Sequence, residues 1–109
     1  MPLDGTGYGG SLVAALRAAR EYIAGHRWCQ HASRKGDAVC ALGGLFAVTE
    51  DEETRLAGQF ALRETLELRE GWEGWDVSVS LWNDRAGRTK MEVLDLYDET
   101  ILAVGARGA

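Results

Sequence analysis

Apolar residues near the start of the chain recur at helical spacing: Leu12, Leu16, Ala19 and Ile23 share one stripe, and Arg17, Arg20 and Glu21 lie off it. Ser11 precedes the stripe as an N-cap whose hydroxyl accepts from unpaired amides, and Gly25 ends it. From His26 to Gly36 no period holds, and the mixture of charged, polar and aromatic residues predicts an ordered loop that packs Trp28 onto the body. Asp37 then caps a second helix, because no residue from Ala38 to Thr49 carries a formal charge and no side of such a helix asks for water. Gly43 and Gly44 inside it cost about 1 kcal/mol each in helix propensity, which predicts that another backbone packs closely there.

Thr49-Glu50-Asp51-Glu52 has the form of a capping box, so a third helix is expected to run through Leu56, Phe60 and Ala61 toward Leu68 until Gly71 and Gly74 break it. The run from Asp76 to Leu81 alternates polar and apolar residues, yet Trp75, Val79 and Trp82 also fit helical spacing. No second alternating run exists to pair with it, which favours a helix or an extended connection over a strand. Thr89-Lys90-Met91-Glu92 is a second capping box, opening a last helix with Met91, Leu94, Tyr97 and Ile101 on its buried stripe and Val93 and Val104 broadening it.

These elements predict an all-α fold, a compact bundle of about four helices with a buried central helix near 38–48. Its core would hold Leu16, Ile23, Leu42, Phe46, Phe60, Leu94, Tyr97 and Ile101. A chain of 109 residues suits one core, drawn here as a helical domain over 11–104 between a flexible Gly-rich N-terminal arm at 1–10 and a frayed tail at 105–109.

Composition narrows the function classes. The chain is 46% hydrophobic and 27% charged, as a folded globular protein is. Its net charge of -5 repels phosphate, and no Lys/Arg stripe is present, so nucleic acid is not an expected partner. The longest uncharged run is too short to cross a bilayer and no signal-peptide pattern opens the chain, so no membrane association and a cytoplasmic location are expected. In that compartment Cys29 and Cys40 are expected as free thiols.

Candidate chemistry centres on Cys40, placed by the Asp37 cap in a first helical turn where amides and the helix dipole stabilise a thiolate. His26 and His31 are the only histidines and hence the candidate catalytic bases, with Asp84 or Asn83 to orient them. The competing expectation for Cys40 is a small buried hydrophobe facing the core. The spacing of His26, Cys29, His31 and Cys40 lacks a zinc knuckle, Asn83-Asp84 lacks the remaining calcium ligands, and Gly5-x-Gly7-x-x-Gly10 follows no strand. No metal and no cofactor is therefore expected. Trp82-Asn83-Asp84 with Arg88 and Thr89 combines an aromatic face, an amide, a carboxylate and a guanidinium before a helix start, a set suited to a small polar ligand. The same residues also make a well-formed turn. Trp72, Trp75 and Trp82 cluster, and partly exposed indoles anchor protein partners.

Trp28-Cys29-Gln30, Cys40-Ala41-Leu42-Gly43 and Trp82-Asn83-Asp84 with Arg88-Thr89 and Glu92-Val93-Leu94 together resemble an uncharacterised family of small actinobacterial and bacteriophage proteins. That family carries W-C-Q, C-x-x-G-A and W-N-D-x-x-x-R-T-x-x-E-V-L motifs. This chain departs from the pattern at Gly44, in place of alanine, and at Arg27, in place of glycine. The resemblance implies a shared fold and lends no activity. It also implies that Trp28, Gln30, Cys40, Trp82, Asn83, Asp84, Arg88 and Thr89 form one constellation. The function expected is a module binding a protein partner or a small polar ligand through the surface from Gly71 to Thr89, with a homodimer among the partners considered. The alternative is a Cys40-dependent hydrolase or transferase.

Overall fold

The helical stripes are the frame of the molecule in the computed structural model, which describes residues 7–71 and 78–108. Among them lie helices α1 (Gly7–Gly25), α2 (Ala41–Val48), α3 (Glu52–Glu70), α4 (Val79–Asp84) and α5 (Lys90–Gly108), with strands β1 (Arg27–Trp28), β2 (Arg34–Lys35) and β3 (Ala38–Val39). The fold is thus roughly all-α. Helix α1 buries Leu16, Ala19 and Ile23 fully, and it packs chiefly on α5 and α2. It begins at Gly7, a turn before Ser11, so helix replaces the last part of the expected arm. Residues 1–6, Trp72, Trp75 and the beginning of the Asp76–Leu81 run lie outside the described residues.

The uncharged run starting at Ala38 hides a change of structure. Ala38 and Val39 are strand: β3 pairs parallel with β1, Trp28 opposite Val39, and antiparallel with β2, Lys35 opposite Ala38. The sheet, ordered β1-β3-β2, falls within the expected loop from His26 to Gly36 and the expected first residues of the second helix, and it leaves the fold roughly all-α. Strands of two residues are too short to display alternation. Helix α2 therefore starts at Ala41, and Cys40 rather than Asp37 is its N-cap. The extended backbone of Cys40 turns its sulfur back to accept from the Gly43 amide at 3.3 Å.

The glycine pair does mark close approach. A Cβ on Gly43 would lie 1.9 Å from the Ser33 carbonyl oxygen, and one on Gly44 would lie 2.4 Å from Cγ1 of Ile23 in α1. With Leu45, these residues form the inner face of α2. The outer face leaves Phe46 36% exposed, which corrects its placement in the core: a lack of charge does not bury every side of a helix.

Helix α3 corrects another expectation. Its buried stripe is Gly58, Ala61, Leu62, Thr65 and Leu66, so Leu56 and Phe60 fall outside it, and Phe60 is 61% exposed. Small residues let α3 approach its neighbours, and the larger apolar side chains turn outward. Asp51, not Thr49, is the N-cap, its carboxylate accepting from the Thr54 amide at 2.8 Å. Gly71 closes the helix in left-handed backbone. Thr89 and Glu92 do form the reciprocal capping box of α5, at 2.9 and 3.2 Å. The buried stripe of α5 runs through Val93, Leu96, Tyr97, Thr100 and Val104, with Leu94 also buried, Ile101 half-buried and Met91 exposed. Arg20 of α1 and Asp98 of α5 make a two-pronged ion pair at 2.6 and 3.1 Å. No helix among the described residues is long and apolar enough to cross a membrane.

Candidate functional site

The parallel pairing of β1 with β3 sets the geometry around Asn83. The Cys29 amide donates to the Val39 carbonyl at 3.0 Å. Continued in register, the ladder's next bond would run from the Ala41 amide to the Cys29 carbonyl. Instead, the carboxamide of Asn83 is inserted between them. Its Oδ1 accepts from the Ala41 amide at 2.9 Å, and its Nδ2 donates to the Cys29 carbonyl at 3.2 Å. The same oxygen accepts from Trp28 Nε1 at 2.8 Å, and the same nitrogen donates to Asp84 Oδ1 at 3.0 Å. Asn83 is fully buried, and its donor and acceptor capacity is fully matched.

The neighbouring residues complete an interlock between the W-C-Q and W-N-D segments. Gln30 Nε2 donates to the carbonyls of Asn83 and Arg85 at 3.0 and 2.9 Å, satisfying groups at the end of α4. Asp84 accepts from the His31 amide at 2.8 Å, and that bond, followed by the one from Asn83, holds its carboxyl below the usual carboxylate range. Arg88 donates from Nε to the Trp82 carbonyl at 2.8 Å, and its guanidinium lies 3.9 Å from the centre of the Trp82 ring. Its Nη1 also approaches Glu92 at 3.5 Å. Thr89 is the α5 cap.

Trp28, Gln30, Asn83 and Asp84 are therefore brought together, with Trp82, Arg88 and Thr89 beside them, and among the described residues these groups satisfy one another except for the buried Trp82 Nε1, which has no hydrogen-bond partner. Trp82 is only 2% exposed and presents no open indole face, and Trp28 is half-buried. Trp72 and Trp75, which also supported a protein-partner surface, lie outside the described residues.

The interlock shapes the wall of a cavity of about 250 Å³ at the start of α2. Cys40, His31, Asp84, Ser33 and Ser80 line it, together with the apolar Ala32, Leu42 and Phe46. His31 Nδ1 lies 3.8 Å from Asp84 Oδ2. His31 also holds left-handed backbone, φ +68, a conformation unusual for a residue other than glycine. Cys40 is 6% exposed and contributes to the wall. His26 is placed elsewhere: its ring stacks on Tyr22 at 3.9 Å and donates from Nδ1 to the Tyr22 carbonyl at 2.7 Å. Behind α2, Tyr97 donates to the Ala41 carbonyl at 2.6 Å, and burial pushes its phenol far above the usual range.

Ser33, Leu42, Phe46 and Ser80 were not singled out as site residues from sequence. The one available signal was Gly43, since the backbone that approaches it closely belongs to Ser33, whose carbonyl also accepts from the Cys40 amide at 3.1 Å.

Fold and site together define a small helical protein in which two tryptophan-bearing segments lock the start of a cysteine-capped helix. The chain belongs to the family of unknown function DUF6197, whose model matches residues 8–103. No curated protein and no solved structure matches it.

Proposed function

We propose that this chain is a small-ligand-binding module whose ligand sits in the cavity at the start of α2. The observation that carries this reading is the cavity itself: about 250 Å³, lined by apolar side chains and by residues bearing a thiol, an imidazole, a carboxylate and two hydroxyls. Its volume suits a molecule of a few heavy atoms with an apolar body. Arg88, whose guanidinium could pair an anion, is committed to Trp82 and Glu92. The charge at the rim belongs instead to Asp84, so the polar end of the ligand is a hydrogen-bond donor such as an amine. The motifs that resemble small actinobacterial and bacteriophage proteins are read as supplying the scaffold rather than the contacts.

A nuclear magnetic resonance screen of small amine-bearing heterocycles tests the reading. Binders should shift the amide signals of His31, Ser33 and Ser80. Ser80→Trp, at an exposed position on the cavity rim, should abolish those shifts while leaving the melting midpoint unchanged. Binding that survives Ser80→Trp would place the ligand elsewhere.

A second reading is the Cys40-dependent hydrolase or transferase. It is favoured by Cys40, His31 and Asp84 lining the same cavity. There the Cys40 sulfur would be the nucleophile, His31 the base and Asp84 the group that orients the imidazole. Thiol-dependent turnover of an activated ester, lost in Cys40→Ser, would put this reading ahead.

A further inference from the structure

The register of the β1–β3 ladder also bears on the two cysteines, which follow its last paired residues. Arg27 pairs with Ala38 and Trp28 with Val39, so the same register carried one residue further sets Cys29 opposite Cys40, at the end of the ladder where the Asn83 carboxamide replaces one of the two backbone bonds. The hydrogen bond from the Cys29 amide to the Val39 carbonyl holds that register. Residues opposite one another in parallel strands project to the same face, which puts both thiols on one side of the ladder's end. A shared neighbourhood points the same way: Cys29 Sγ donates to the Ala32 carbonyl at 3.4 Å, and Cys40 lines the cavity together with Ala32. Both thiols are free in this structure.

We infer that Cys29 and Cys40 form a dithiol site that low-molecular-weight disulfides oxidise to an intrachain disulfide. Cys40, though buried where Cys29 is half-buried, is the entry point because it lines the cavity, whereas the Cys29 thiol is held against the Ala32 carbonyl. The Cys40 thiolate attacks one sulfur of RS–SR, a Cys40–S–SR bond forms, and RS⁻ leaves and takes up the proton lost by Cys40. The Cys29 thiolate then attacks the Cys40 sulfur. The Cys29–Cys40 bond forms, and the second RS⁻ leaves with the proton lost by Cys29. Two protein thiols become one disulfide, and RS–SR is reduced to two RSH. Burial raises the thiol pKa of Cys29, which lowers its thiolate fraction.

Oxidation would also be felt by the fold. A bond to Cys29 draws the Cys40 sulfur from the Gly43 amide and the Cys29 sulfur from the Ala32 carbonyl, so the cap of α2 changes with redox state. This inference does not require a ligand in the cavity, and it stands or falls apart from the binding reading.

The test uses the full chain, fully reduced and then incubated with oxidised glutathione over a series of ratios to reduced glutathione. Acid quenching precedes intact-mass measurement and peptide mapping. The expected product has lost two hydrogen atoms and yields a Cys29–Cys40 cross-linked peptide. Cys29→Ser should stop at one glutathione adduct on Cys40, and Cys40→Ser should give no cross-link and no adduct on Cys29 over the same period. Circular dichroism melts of the reduced variants confirm that each is folded. A persistent adduct without a cross-link, adducts on both cysteines, a cross-link formed only after urea unfolding, or no reaction of the native chain would each overturn the inference.

Discussion

The Oδ1 atom of Asn83 lies 2.9 Å from the amide nitrogen of Ala41, at the point where the β1–β3 ladder would otherwise continue into the start of α2. One side-chain amide thus substitutes for a backbone pairing. This explains why a short carboxamide, with a donor and an acceptor on one plane, occupies a fully buried position.

Asn83→Ala is expected to be the most destabilising polar-to-alanine substitution in the chain. It strands the Ala41 amide, the Trp28 indole nitrogen and the Cys29 carbonyl. At roughly 1–3 kcal/mol for each buried group left unsatisfied, the loss should be on the order of 4 kcal/mol. Urea unfolding measures it. A loss below about 1 kcal/mol would mean that water replaces the carboxamide without cost.

The glycines of α2 and α5 make a contrasting pair. Gly43→Ala drives a methyl group into the Ser33 carbonyl, whose backbone has little room to yield, so overpacking of about 1–3 kcal/mol should outweigh a propensity gain of about 1 kcal/mol. Gly105→Ala meets nothing within 4 Å and should raise stability by up to about 1 kcal/mol. Thermal melts of the two variants should move in opposite directions.

Phe46→Ala and Leu62→Ala separate the outer face of α2 from the core. Leu62 is fully buried, and its truncation should cost about 2–5 kcal/mol. Phe46 is 36% exposed and stacks under Arg55 at 5.2 Å, so its truncation should cost nearer 1 kcal/mol. Equal losses would return Phe46 to the core.

Cys40 can be probed without losing its cap. Serine is a good N-cap whose hydroxyl can accept from the Gly43 amide, so Cys40→Ser should melt close to the parent, while Cys40→Ala should lose up to about 1 kcal/mol. A Cys40→Ser protein less stable than Cys40→Ala would show that burial of the sulfur matters more than its hydrogen bond.

Asp84 makes stability depend on acid in a definite direction. Its folded pKa is depressed, chiefly by the His31 amide, so its contribution is present above the unfolded carboxylate value of about 3.9 and is lost as pH falls through the lower folded value. Asp84→Asn keeps an acceptor for His31 and should unfold at a lower pH, relative to its neutral stability, than the parent. Asp51 and Glu92 are depressed likewise, by the Thr54 and Thr89 hydrogen bonds, so some acid sensitivity should persist. Parallel acid titrations followed by circular dichroism check the comparison.

The helices were legible from periodicity in the Leu16 to Ile23 stripe, although α1 starts at Gly7 rather than at a Ser11 cap, and from the Thr89–Glu92 box. They were misread where side-chain size stood in for orientation. Phe60 looked like core, but Gly58, Ala61 and Thr65 set the face of α3, because small residues permit close packing. The sheet escaped notice because strands as short as Ala38–Val39 have no period, and their pairing is a property of distant residues. The residues around Asn83 could be singled out by type, but a sequence does not say whether an amide faces solvent or replaces a rung of a ladder. Only the partners of Asn83 decide that.

The Asn83 bridge also bears on the order in which the chain acquires structure. Nδ2 of Asn83 and the Cys29 carbonyl are 54 residues apart, so their bond closes a long loop late and at an entropic cost that local helix formation does not bear. During synthesis, β1, β3 and the start of α2 emerge well before α4. Until α4 arrives, the Ala41 amide and Cys29 carbonyl lack their native partner, so the N-terminal half is expected to stay only loosely formed and to consolidate when Asn83 docks.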